Sequence, residues 1–192
     1  SGRPATLLPT VRSRCQFLRL LAPDAAQAVP WLQARGVPDA ADAQLLLAAC
    51  SGRPLDVLAL MQVGVDARAW AALPRAVANG QAGALAGWPI PRALDALQKL
   101  CHDAMALSAP GASGVITQYF PVASLPTRMA LPALVPWAAE LRRVARHAEH
   151  PWSEALLIEA LVNAGAQALA PQTLGHPAGH PASQQRLDTL GT

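Results

Sequence analysis

The sequence predicts an all-α protein: a small three-helix unit followed by a larger helical bundle. Three observations point that way. Hydrophobic residues make up 52% of the chain and aromatics only 4%, so the core must be built mainly from Ala, Leu and Val, and Ala and Leu are strong helix formers. Apolar residues recur at spacings of three and four through most of the chain, the period of a helix with one buried face. Asp or Pro stands where these stretches begin and Gly where several of them end, as helix start and stop chemistry requires.

The elements follow in order. Residues 1–22 hold Pro9, which can open a short helix but not sit inside one. Gln16-Phe17-Leu18-Arg19-Leu20 then alternates polar and apolar residues, the period of a short strand that needs a neighbouring strand to be stable. Residues 23–64 read as three short helices. Asp24 caps the first, which carries Val29, Trp31 and Leu32, is expected to kink or restart at Pro30, and stops at Gly36. Asp39 or Asp42 caps the second, with Leu45 to Ala49 on it. Ser51-Gly52-Arg53-Pro54 breaks the chain, and a third helix runs from Pro54 through Val57, Leu58, Leu60 and Met61 to Gly64.

Residues 65–170 read as the larger bundle. Asp66 caps a helix bearing Trp70, Leu73 and Val77, which stops near Asn79-Gly80. A helix over about 91–107 carries Leu94, Leu97, Leu100, Cys101 and Met105 on one face. Residues 108–127, rich in Ser, Pro and Gly, form a loop that tucks Tyr119 and Phe120 onto the bundle. A helix over 131–148 ends in basic residues, favourable at the negative end of its dipole. The last helix follows Pro151 and carries Leu156, Leu157, Ile158, Leu161 and Val162. Residues 171–192 turn to Pro, Gly, His, Gln and Ser, the composition of a flexible tail.

Chemistry is sparse. The formal charge is +3, with Lys99 the single lysine, a thin and scattered excess for nucleic-acid binding. Arg142, Arg143 and Arg146 are the nearest thing to a cluster and read as a solvated helix face. A helix-turn-helix over 39–64 is implausible, because residues 54–63 offer only Gln62 to read bases. No GxxxxGK[ST] loop cradles a nucleotide and no HExxH pair is present. His176 and His180 each precede a proline in the tail, and His147 and His150 sit at a helix end. Cys101 and His102 are adjacent, so on a helix they point about 100° apart and cannot pair; Cys101 reads as a buried, inert thiol. Cys15, Cys50 and Cys101 are odd in number and far apart, which fits a reducing cytoplasm rather than a disulfide scaffold. No run approaches the roughly 18 apolar residues of a membrane span, and no secretory signal pattern opens the chain.

One stretch reads as a motif. In Thr10-Val11-Arg12-Ser13-Arg14-Cys15-Gln16, two Arg flank a Ser ahead of the predicted strand. A basic turn with Cys15 packed inward is one reading. The other is that the rigid guanidinium of Arg14 suits a neighbour's phosphate. With its flank, Leu7-Leu8-Pro9-Thr10-Val11-Arg12-Ser13-Arg14-Cys15 resembles the SRC motif that ends the AAA+ module in bacterial clamp-loader subunits of the delta-prime and gamma/tau types. The order of the rest resembles that family too. Residues 23–64 take the place of its three-helix lid, with Ser51-Gly52-Arg53-Pro54-Leu55-Asp56-Val57-Leu58-Ala59-Leu60 leading into the last lid helix. Residues 65–170 take the place of its oligomerisation collar, and 1–22 that of the end of its AAA+ core.

The resemblance implies a non-catalytic subunit of the DNA polymerase III clamp loader, which places the sliding clamp on primed DNA. It implies Arg14 as an arginine finger acting in trans on ATP held by a neighbouring subunit, with Ser13 and Cys15 framing it. It implies gamma/tau and delta subunits as partners through the collar, clamp and DNA only indirectly, no cofactor or metal in this stretch, and a cytoplasmic setting. It also implies that the parent's nucleotide-binding-like core, with its zinc-binding cysteines, lies before Ser1. An ungapped alignment places Leu55 where gamma/tau carry a nucleotide-sensing arginine, which favours the delta-prime type; a shift of two residues would place Arg53 there. The alternatives are the corresponding part of a gamma/tau subunit, and a stand-alone helical interaction module with no need of Arg14. An enzyme would need converging polar groups, and the sequence offers none.

Overall fold

The computed structural model describes residues 8–16, 23–111, 114, 116–146 and 153–171. Among these the regular structure is helical throughout, with no strand. The predicted strand at Gln16–Leu20 falls largely on residues outside this set, as do His147, His150 and all but the first residue of the predicted tail. The described residues fall into two compact units divided between Ala72 and Leu73, with Gln118–Pro121 belonging to the first.

The first unit opens with α1 (Pro9–Arg12), which starts at the proline, the position where a missing N–H costs nothing. Helix α2 (Ala25–Gln33) is capped by Asp24, whose carboxylate accepts from the Gln27 N–H at 2.8 Å. It ends where Gly36 takes φ +100° and the Val37 N–H donates back to the Leu32 carbonyl at 3.3 Å, a left-handed helix stop. Pro30 lies inside α2 and does not restart it. The cost is one absent N–H bond, and the burial of Ala28, Val29 and Leu32 on one face outweighs it.

Helix α3 (Ala40–Ala49) is capped by Asp39 rather than Asp42: the Asp39 carboxylate accepts from the Asp42 N–H at 2.8 Å. Asp39→Ala is expected to destabilise this unit by about 0.5–2 kcal/mol, read as a lower urea midpoint with an unchanged slope; an unchanged midpoint would show that the cap does not contribute. Ser51 and Gly52 follow at φ 54° and 76°, and their turn bends the chain by 97° into α4 (Pro54–Gln62). Leu32 from α2, Leu46 and Leu47 from α3, and Val57 and Leu60 from α4 are buried in this unit, and each of the three helices contacts the other two.

Helix α5 (Ala67–Ala78) is capped by Asp66, which accepts from the Ala69 N–H at 2.7 Å. The division between units falls inside it. Trp70 serves the first unit. Its indole is buried, donates to the Tyr119 carbonyl at 3.0 Å, and stacks on Phe120 with centroids 4.8 Å apart and planes 3° from parallel. The loop does tuck Phe120 in, but against Trp70 of the first unit rather than onto the larger bundle; Phe120 is buried and Tyr119 half-buried.

The second unit is built on α6 (Ile90–Ser108), which packs on α7 (Leu131–Ala145) and α8 (Glu154–Leu169); α7 and α8 pack on each other, and a 3-10 turn at Ala82–Leu85 packs on α8. Leu94, Leu97, Leu100 and Cys101 of α6 are buried as their spacing predicts, with Met105 half-buried. Helix α7 ends at Ala145 with Arg146 as its C-cap, short of the expected 148. On α8, Ile158, Leu161 and Val162 are buried, but Leu156 is 67% exposed. Leu156 lies in the first turn, on the face opposite Ile158, because two residues advance a helix by about 200°.

Candidate functional site

At the end of α1, Ser13 closes the last turn twice. Its N–H donates to the Pro9 carbonyl at 3.0 Å and its hydroxyl to the Thr10 carbonyl at 3.1 Å. With the turn satisfied locally, the chain leaves at Arg14, which is exposed. Cys15 is an exposed free thiol, so it does not pack inward and its side chain supplies no buried anchor. The local frame for Arg14 is hydrogen bonding by Ser13. Among the described residues, no hydrogen bond or ion pair holds the Arg14 side chain in one direction.

The two candidates for a nucleotide-sensing position sit at the start of α4. Arg53 is its N-cap residue, and its guanidinium pairs with the carboxylate of Asp56 three positions on. Leu55 is 70% exposed. Both pair members at Arg53–Asp56 are more than half exposed, so the contact orients Arg53 more than it stabilises the fold.

Cys101 is buried with Sγ 3.8 Å from the Leu134 carbonyl. Burial pushes its thiol up to about 11, with the positive charge of Arg142 opposing the rise, so it is not a thiolate nucleophile at neutral pH. His102 projects into solvent, its Nδ1 3.2 Å from the Asp103 carboxylate. A thiol reagent at pH 8 is therefore expected to label Cys15 rapidly and Cys101 only on unfolding; fast labelling of Cys101 in the native protein would contradict its burial. The raised Cys101 value also carries a stability effect. It is fully present below about pH 9, the ordinary thiol value, and is lost as pH climbs through about 11.

Arg142, Arg143 and Arg146 are all exposed on α7. Arg143 grips Glu140 with two bonds, at 2.9 and 2.6 Å, and this hydrogen-bonded cation holds the Glu140 carboxyl below its usual range. The cluster is the solvated face that its spacing suggested. A groove of about 360 Å³ between α7 and α8, lined by Ala133, Pro136, Trp137, Glu140, Ala164, Gln167 and Ala168, has Glu140 as its one ionisable side chain. A nucleophile with a base in hydrogen-bond reach is what catalysis would need there, and the lining supplies none.

Sequence reasoning missed the buried charge on α6. Lys99 is 8% exposed and pairs with Asp95, while Asp103 is fully buried. Their signal is the four-residue ladder Asp95, Lys99, Asp103, which places all three on one face of a helix otherwise read for its leucines. Among the described residues, no three His, Cys, Asp or Glu side chains converge to hold a metal ion, and no single helix is long and apolar enough to cross a membrane. The fold defines a two-unit, all-helical protein. No known protein-family model matches the chain, and no curated protein matches it closely enough to count as a relative.

Proposed function

We propose that this chain acts as a helical scaffold, the lid and collar of a bacterial clamp-loader subunit of the delta-prime type, with Arg14 acting on ATP bound by a neighbouring subunit. The observation that carries the reading is the order Leu7 to Cys15 followed by a short three-helix unit and then a bundle of longer helices. Two features support it. Arg14 is exposed directly after a turn closed by Ser13, as an arginine reaching outward requires. On the ungapped alignment Leu55, 70% exposed, stands where a nucleotide-sensing arginine would, which suits a subunit that does not hydrolyse ATP itself; a shift of two residues would restore Arg53 as that arginine and favour the gamma/tau type. A guanidinium delivered to a γ-phosphate stabilises charge that develops during transfer. Gamma/tau and delta subunits are the partners in this reading, and the clamp and primed DNA are met through the assembled ring.

The test is reconstitution of the protein that carries this chain with gamma and delta subunits, comparing Arg14→Ala with wild type. Assembly should survive, because Arg14 is exposed. Hydrolysis stimulated by clamp and DNA should fall at least about tenfold, equivalent to about 1.4 kcal/mol of barrier. Unchanged hydrolysis in an assembled mutant would remove the finger and leave the scaffold. Failure of wild type to assemble would remove the family reading and leave a stand-alone helical interaction module.

A further inference from the structure

We draw no further inference here: the strongest candidate, the outward apolar face of α4 formed by Leu55, Leu58 and Met61 beside the Arg35 that stacks on Trp31, is an unpartnered patch and nothing in the structure shows what covers it.

Discussion

Trp137→Ala is expected to destabilise the second unit by about 3–5 kcal/mol, the range for deleting a buried aromatic. The indole is 2% exposed, and its N–H donates to the Leu161 carbonyl at 3.1 Å, so the substitution removes both packing and a hydrogen bond across the α7–α8 contact. The same ring crowds Gly165. A Cβ at Gly165 would lie 2.7 Å from Cζ2 and 3.0 Å from Cε2 of Trp137, and 3.0 Å from Cγ1 of Val77. Alanine at 165 gains about 1 kcal/mol of helix propensity. Against that stands an overpacking cost of about 1–3 kcal/mol, because a buried indole fixed by its own hydrogen bond has little room to yield. Gly165→Ala should therefore be neutral to destabilising alone and favourable once Trp137 is alanine. A cycle of the two single mutants and the double mutant, followed by urea unfolding, checks this. Additivity within about 0.5 kcal/mol would mean that Trp137 does not set the α7–α8 separation.

Trp70→Ala should have an effect of similar size, about 3–5 kcal/mol, on the first unit. Here the loss is of a stack on Phe120 and a bond to the Tyr119 carbonyl, contacts that span almost fifty residues of chain. Trp70→Phe is the informative control. It keeps an aromatic ring against Phe120 but has no N–H, so its cost should be nearer 1 kcal/mol, the net worth of one hydrogen bond, plus a smaller packing loss. The accompanying readout is protease cleavage around 118–121, which should accelerate in the alanine variant and much less in the phenylalanine one. If Trp70→Ala leaves both stability and cleavage at wild-type values, the segment is held by other contacts and the stack is incidental.

Much of the helical order was legible in the sequence because the signals are local. Asp24, Asp39 and Asp66 each accept a backbone N–H three residues on, a geometry that needs only the side chain and the first turn. Pro9 and Pro54 open helices, and Gly36, Gly64 and Gly80 take positive φ beyond helix ends. The apolar stripe of α6 was equally plain. At Pro30 the helix does not restart, because the buried face of α2 offsets a proline's local penalty. Leu156 is on the last helix as expected, and its exposure follows from its direction around that helix.

The candidate site was legible only as a motif. Ser13, Arg14 and Cys15 stand out as residue types, and the structure adds that Ser13 holds the turn while Arg14 and Cys15 face outward. Sequence by itself determined the helical class, the helix starts and the apolar faces of the longer helices. Each depends on interactions within about four residues, where side chain and backbone meet whatever the rest of the chain does. Tertiary structure alone decided that α5 is shared, with Trp70 serving one unit and Leu73 and Val77 the other. It also decided that Lys99 and Asp103 are buried and that a Cβ at Gly165 would crowd Trp137. Burial and close approach depend on atoms supplied from elsewhere in the chain, and no local pattern encodes how closely those atoms come.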